Sequence, residues 1–142
     1  MNTTTQASTT RVATTTREAE IRQMLDRYDL RFSTDDGWAV LVRHVERHAE
    51  ILKATLKIDA KWHEAVFAWE EEVFKPLFQV ISPWSYHRAF GGQHLGDLYL
   101  AVSDHWGYLK ERTPRVSANV AARSFLAHYG KGAARYFSRF LA

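Results

Sequence analysis

Apolar residues recur at three- and four-residue steps along most of this sequence, and that period predicts amphipathic α-helices. The clearest example is the stripe formed by Trp38, Leu41, Val45, His48 and Leu52. No segment shows the strict alternation of apolar and polar residues that predicts a half-buried strand. The pattern predicts helices over about residues 17–28, 36–55, 59–80, 95–110 and 117–129, and a short sixth helix over 133–142.

These segments predict an all-α fold, a single helical bundle of about five to six helices. The chain has 142 residues, which is the size of one domain, and we place that domain at residues 17–142. Five Trp, six Tyr and eight Phe supply enough apolar surface for a core without disulfides or structural metal. Residues 1–16, MNTTTQASTTRVATTT, are polar nearly throughout, so we predict a disordered Thr-rich tail there.

Two interruptions of the helical pattern carry local signals. Pro76 lies inside the third predicted helix. Because proline lacks a backbone donor and its ring clashes with the preceding turn, we expect a kink near Val73 or two shorter helices. Residues 82–94, SPWSYHRAFGGQH, contain Pro83 and two consecutive glycines and form the longest stretch that we expect to be irregular. Loops of this kind carry functional residues more often than helix surfaces do.

Composition limits the cellular setting and the chemistry. No apolar run approaches the roughly 18–20 residues that a membrane-spanning helix needs. The polar N-terminal segment also lacks the apolar core of a secretory signal. The sequence contains no Cys, which excludes thiolate catalysis, Cys-type zinc sites and disulfides. We therefore expect a cytoplasmic protein without a membrane span.

Basic residues are concentrated at the C-terminal end. The whole chain has a net charge of +3, yet no acidic residue follows Glu111. Nucleic-acid-binding surfaces combine cations that neutralise phosphates with aromatic side chains that stack on bases. Residues 112–142 are therefore a candidate nucleic-acid-binding segment, although a solvated helical face or a docking helix explains the same pattern. The candidate phosphate-binding residues are Arg115, Arg123, Lys131, Arg135 and Arg139, and the aromatic residues Tyr136, Phe137 and Phe140 lie in the same segment.

Two histidines on the second predicted helix suggest a metal site. His44 and His48 lie one helical turn apart, a spacing at which two imidazoles can bind one ion, and His105 is a third candidate ligand. However, the sequence contains neither the Glu-x-x-His motif of dimetal bundles nor His-Glu-x-x-His. His48 also belongs to the apolar stripe, where a hydrogen-bonded core histidine is the simpler interpretation. A metal-dependent enzyme is therefore our third hypothesis.

No complete catalytic motif is present. The sequence lacks a Gly-x-Ser-x-Gly elbow, a Gly-rich phosphate loop and a Walker lysine. We interpret Gly91 and Gly92 as turn residues and the run of three glutamates, residues 70–72, as a solvated face. General acid–base catalysis needs paired groups whose pKa values differ, and the sequence shows no such pair. We therefore predict no catalytic residue and no cofactor, and favour a protein that is not an enzyme.

Three strings of the sequence resemble a helical segment found in two kinds of bacterial protein, the ParB-like regulators and the DUF4032-type proteins. The strings are LVRHVERHAEIL, WHEAVFAWEEEVFKPLFQVI and GDLYLAVSDHWGYLKE, and the resemblance covers about residues 28–130. The residues that match the family pattern are His44 and His48 in the first string, Phe74 and Pro76 in the second, and then Phe90, Gly91, Asp97, Leu98, Tyr99, Leu100, His105, Tyr108 and Leu109.

The resemblance implies an accessory helical module. In the proteins that it resembles, the segment accompanies a ParB-like N-terminal fold or a lipopolysaccharide-kinase-like region, and this sequence contains no counterpart of either. The string FGGQHLG also lacks the Arg and Glu of the family pattern. Functions seated in those other domains are therefore not carried over to this chain.

Aromatic residues within residues 82–94 are the best candidates for a binding site. Trp84, Tyr86, His87 and Phe90 would form an exposed aromatic patch, and such patches mark interfaces in which Trp and Tyr contribute most. The leading hypothesis is a non-enzymatic interaction or regulatory module that binds another protein, and a nucleic-acid-binding regulator is the second. If the aromatic side chains are instead buried, Trp84→Ala should reduce stability rather than binding.

Overall fold

Helices are the only regular secondary structure in the part of the chain that the structure describes. The computed structural model describes residues 16–130, and between these limits it contains α-helices and short turns but no β-strand. The predicted all-α fold is therefore confirmed. The tail predicted over residues 1–16, except for its last residue, and the helix predicted over 133–142 lie outside the described residues.

Seven α-helices follow one another within residues 16–130. Helix α1 covers residues 16–25 and continues into a 3₁₀ turn, Asp26–Tyr28. The others are α2, Asp36–Leu56; α3, Trp62–Trp69; α4, Lys75–Ile81; α5, Trp84–His87; α6, Leu95–Arg112; and α7, Ala118–Tyr129. A five-residue π-helical segment, Glu70–Phe74, separates α3 from α4, and a 3₁₀ turn, Arg88–Phe90, follows α5.

The π-helical segment is the interruption that the sequence predicts around Pro76. Proline cannot donate the hydrogen bond that an α-helix requires, and it is tolerated near a helix start. Pro76 lies at the beginning of α4, directly after the wider turn of residues 70–74. The predicted interruption is confirmed: the π-helical segment contains Val73 and lies between the two short helices α3 and α4.

The described residues form two compact units. The first comprises residues 16–30 and 34–70, and therefore α1, α2 and α3. Its fully buried side chains include Ile21, Leu41, Val45 and Trp69. Helices α2 and α3 pack against each other because the apolar stripe of α2 faces the buried positions of α3.

The second unit comprises residues 31–33 and 71–130. Helices α4, α6 and α7 contact one another, and α5 contacts α4. Phe74 lies in its core with its ring centre 4.8 Å from that of Tyr99. Helix α7 begins after an N-cap residue, Ser117, whose hydroxyl accepts a hydrogen bond of 3.2 Å from the Val120 N–H.

The segment of residues 31–33 is fixed to the start of α6 by hydrogen bonds. The Gly96 N–H donates a 2.8 Å hydrogen bond to the Arg31 carbonyl, and the Asp97 carboxylate accepts one of 3.2 Å from the Ser33 N–H. A Cβ atom at Gly96 would lie 2.3 Å from the Arg31 carbonyl oxygen and 2.6 Å from the Phe32 ring. Only glycine therefore fits at residue 96 without displacing the segment.

The expectation that residues 82–94 are irregular is wrong for most of the stretch. Helix α5 and the following 3₁₀ turn occupy residues 84–90. Pro83 begins this helical stretch at the N-cap position, and Gly91, whose φ is +66°, ends it. No helix within residues 16–130 has the length and apolar character needed to cross a membrane.

Candidate functional site

Helix α5 and the turn after it present two faces that differ in chemistry. Side chains four residues apart share one side of a helix. Tyr86 and Phe90 therefore lie on one side, and Trp84 and Arg88 lie on another. The structure buries the first pair and exposes most of the second.

The buried pair attaches α5 to α7. Tyr86 is 8% exposed and Phe90 is 3% exposed. The Tyr86 hydroxyl donates a 2.6 Å hydrogen bond to the Ala122 carbonyl, and burial raises the pKa of this phenol. The Phe90 ring lies 5.4 Å from the rings of both Tyr86 and Phe125. The predicted exposure is therefore wrong for Tyr86 and Phe90, because both side chains complete the core of the second unit.

Trp84 remains exposed at the surface of α5. Its side chain is 67% exposed, and the Arg88 guanidinium lies 5.0 Å from its ring centre. His87, the other residue of the predicted patch, is half-buried. Because Tyr86 and Phe90 hold the opposite side of α5, the backbone that carries Trp84 and Arg88 is attached to the core of the second unit. The structure thus reduces the predicted patch to an exposed Trp–Arg pair.

The basic C-terminal segment is only partly within the described residues. Arg115 and Arg123 are exposed, whereas Lys131, Arg135 and Arg139 lie outside the described range. Two more cations nearby in sequence stack on aromatic rings. Lys110 lies 3.8 Å from the Trp106 ring centre and Arg112 lies 5.7 Å from that of Tyr108.

The candidate metal ligands lie on two helices. His44 and His48 belong to α2 in the first unit, and His105 belongs to α6 in the second. Within residues 16–130 no group of three or more His, Asp or Glu side chains is arranged to hold a metal ion. No geometry in this range therefore supports the metal-dependent hypothesis.

His105 has a local structural environment instead. Its Nε2 atom is 2.9 Å from the Ser124 hydroxyl on α7, and its ring lies 6.1 Å from that of His128. Burial and the nearby His128 lower the pKa of His105, while the charge of Asp104 opposes this shift. The lowered pKa favours the neutral form of His105, and its contact with Ser124 joins α6 to α7.

Glu70 is a buried charged residue that the sequence interpretation missed. It is 1% exposed at the start of the π-helical segment, whereas Glu71 and Glu72 are exposed as expected. The Tyr28 hydroxyl donates a 2.5 Å hydrogen bond to the Glu70 carboxylate, and the Arg27 guanidinium forms an ion pair with it. Burial and this hydrogen bond raise the pKa of Tyr28. The available signal was the position of Glu70 four residues after the buried Val66.

The described residues thus contain three features of interest for function. They are the exposed pair of Trp84 and Arg88, the exposed basic residues of the second unit, and the buried Glu70 with its partners Tyr28 and Arg27.

The chain matches no protein-family model, no curated protein and no solved structure. The resemblance to ParB-like regulators and DUF4032-type proteins stays a prediction that rests on the sequence motifs.

Proposed function

We propose that this chain is a non-enzymatic helical interaction module that binds another protein through α5. The observation that carries the proposal is Trp84, a large aromatic side chain that is 67% exposed on a helix whose opposite side is buried. Trp and Arg are the residue types most enriched among side chains that dominate binding energy at interfaces. Trp84 and Arg88 supply both types in one contact.

The rigidity of α5 strengthens the proposal. Binding is weakened when flexible side chains and loops must be ordered at the interface. Here the Tyr86 hydrogen bond and the Phe90 ring contacts hold α5 in place in the free protein. A partner would therefore meet an ordered surface, and most of the apolar area of Trp84 remains available for burial.

A pull-down with matched variants tests this proposal. Full-length wild-type protein, Trp84→Ala and Phe67→Ala would be used as baits in a lysate of the source organism, with quantitative mass spectrometry. Phe67 is the control because it is also an exposed aromatic side chain, 58% exposed, but belongs to the first unit. We expect Trp84→Ala to lose at least one partner that wild type and Phe67→Ala retain.

The stability of the Trp84→Ala variant separates binding from folding. Substitutions at exposed positions usually change the free energy of unfolding by less than about 0.5 kcal/mol. Urea denaturation should therefore give the same midpoint for Trp84→Ala and wild type. An unchanged set of captured proteins with Trp84→Ala would contradict the proposal, and so would a large loss of stability.

Nucleic-acid binding is the second candidate function, and one observation favours it. Arg112, Arg115 and Arg123 are exposed, and no acidic residue lies between residues 112 and 130. Truncation is an unsuitable test, because α7 supplies the fully buried Phe125. Fluorescence anisotropy of labelled DNA and RNA should compare full-length wild type with a variant that carries Arg115→Glu and Arg123→Glu.

A variant with Arg43→Glu and Arg47→Glu, two exposed arginines of α2, is the matched control. Nucleic-acid binding predicts an affinity that falls steeply with salt and is reduced only by the substitutions in the second unit. An absence of binding at low salt would contradict this candidate and leave the protein partner as the proposal.

A further inference from the structure

The first unit contains a cavity, open to solvent on one side, that neither candidate function uses. Its volume is about 280 Å³, and residues from the start of α1, the middle of α2 and the start of α3 line it. Three alanines, Ala49, Ala60 and Ala65, form part of the wall, and their short side chains leave the space open. A cavity of this size is slightly smaller than the roughly 300–1,000 Å³ of small-molecule sites and suits one long side chain.

The guanidinium group of Arg17 already lies against two other residues of the wall, Trp62 and Glu46. The Arg17 guanidinium lies 4.7 Å from the Trp62 ring centre, and its Nη1 atom is 3.2 Å from the Glu46 carboxylate. The Trp62 indole N–H donates a 3.4 Å hydrogen bond to the Arg17 carbonyl, which orients the ring. An aromatic face attracts a guanidinium by a cation–π interaction, and a carboxylate beside it adds a charge-assisted hydrogen bond.

Glu50 gives this wall a second carboxylate. It lies one helical turn after Glu46 on α2, at the edge of the same cavity. Glu50 forms no ion pair with any residue in the range 16–130. Since Arg17 balances only one of the two carboxylates, the cavity has an excess negative charge that favours a cation and disfavours an anion.

We infer that this cavity binds the guanidinium group of an arginine residue presented by a protein partner. The incoming group stacks on Trp62 and forms paired hydrogen bonds with the carboxylates of Glu46 and Glu50. Arg17 is then an internal competitor that occupies the same aromatic face in the free protein. Lysine fits less well, because its ammonium is more strongly hydrated and cannot make the planar paired contact. All residues involved belong to the first unit, so the inference does not depend on α5.

Titration of the full-length protein with small arginine analogues tests the inference. The probes are N-acetyl-arginine amide, its neutral isostere N-acetyl-citrulline amide, and N-acetyl-lysine amide. The readout is the Trp62 indole N–H resonance in a ¹⁵N correlation spectrum, which is assigned by its absence in Trp62→Phe. We expect a saturable shift with the arginine amide, a weaker one with the lysine amide and none with the citrulline amide. An equal response to citrulline would overturn the inference.

Three variants test the assigned residues. Glu50→Gln should weaken binding of the arginine amide about two- to five-fold, as expected for one solvent-exposed ion pair. Glu111→Gln makes the same change at an exposed residue of the second unit and should have no effect. Arg17→Ala should strengthen binding, because it removes the internal competitor. Equal affinities for wild type and Glu50→Gln, or weaker binding by Arg17→Ala, would overturn the assignment.

Two further comparisons identify the source of the guanidinium and separate this inference from the α5 proposal. The tripeptide acetyl-Gly-Arg-Gly-amide should bind at least as tightly as propylguanidine, a free guanidinium compound of the same charge, and the opposite order would overturn the assignment to a protein partner. Trp84→Ala should bind the arginine amide like wild type. The arginine site therefore stands or fails independently of the partner at α5.

Discussion

The contact between Tyr28 and the buried Glu70 carboxylate gives the sharpest prediction about stability. Tyr28→Phe removes one hydroxyl and leaves the aromatic ring in place. The hydroxyl donates a 2.5 Å hydrogen bond to a carboxylate that is 1% exposed, and the variant also loses the 3.0 Å hydrogen bond that the hydroxyl accepts from the exposed Arg27 guanidinium. Because the carboxylate would be left with fewer donors in a site that is nearly closed to water, the variant should be less stable than wild type.

The magnitude follows from the charge of the acceptor. A hydrogen bond to a charged group contributes about 1.5–3 kcal/mol to the free energy of unfolding. Glu70 keeps its ion pair with Arg27 in the variant, and the Arg27 side chain reaches solvent. We therefore expect a loss of about 1.5 kcal/mol, at the lower end of that range. For a chain of this size the corresponding fall in Tm is about 3–6 °C.

Urea denaturation followed by circular dichroism is the appropriate assay, with Tyr108→Phe as the matched control. Tyr108 is 52% exposed, and its hydroxyl makes no hydrogen bond with another residue of the described range. Removing its hydroxyl should change the free energy of unfolding by less than about 0.5 kcal/mol. The control thus measures the effect of losing a phenolic hydroxyl without a buried acceptor.

A double-mutant cycle with Glu70→Gln isolates the interaction itself. In a Glu70→Gln background the acceptor is a neutral amide, so Tyr28→Phe should cost clearly less than it does in wild type. Equal losses in the two backgrounds would show that the hydroxyl acts through some other contact. A loss below about 0.3 kcal/mol in wild type would refute the reasoning outright.

Three other predictions concern the second unit. Gly96→Ala should destabilise the protein by about 1–3 kcal/mol, because its Cβ would meet the Arg31 carbonyl, and the urea midpoint measures this loss. Burial raises the pKa of Tyr99 and Tyr86, so their contribution to stability is complete below about pH 10, the pKa of an unfolded tyrosine, and is lost as the pH rises further. Absorbance at 295 nm should show these two phenolates forming only as circular dichroism reports unfolding; ionisation of every tyrosine near pH 10 in the folded state would contradict this. The pKa of His105 is lowered, so its contribution is present above about pH 6.5 and is lost as the pH falls through the folded pKa. His105→Gln should therefore reduce the dependence of stability on pH between about 7.5 and 5, and an unchanged dependence would be evidence against the shift.

Long helices could be predicted from the sequence because their signal is local. The period of apolar residues places α2 at 36–55 and α6 at 95–110, and the structure gives Asp36–Leu56 and Leu95–Arg112. Each helix is long enough to repeat its apolar stripe several times. Pro76 likewise acts on its own turn, so the interruption between α3 and α4 could be predicted from one residue.

Helix α5 could not be predicted in the same way. It has four residues, which is too short to repeat a periodic pattern, and it is flanked by Pro83 and by two glycines that normally indicate a loop. Its helical conformation depends on tertiary contacts such as the hydrogen bond from Tyr86 to Ala122, 36 residues away. For the same reason the sequence could not separate the buried Tyr86 and Phe90 from the exposed Trp84.

The burial of Glu70 shows how distant residues decide the role of a charged side chain. Within its own sequence neighbourhood Glu70 is the first of three consecutive glutamates, and a run of like charges normally remains in solvent. What differs is that the Tyr28 hydroxyl and the Arg27 guanidinium, more than 40 residues earlier, reach this position. Burying a carboxylate is costly unless donors satisfy it. Glu70 has such donors and is buried, whereas Glu71 and Glu72 remain exposed to solvent. Distant residues also decide the roles of the two carboxylates at the proposed arginine site.

Glu46 forms an ion pair with Arg17, 29 residues earlier, whereas Glu50 on the same wall of the cavity has no cation as a partner within the described residues. A carboxylate whose charge the fold leaves unbalanced beside an aromatic ring is the feature that a partner's arginine would satisfy.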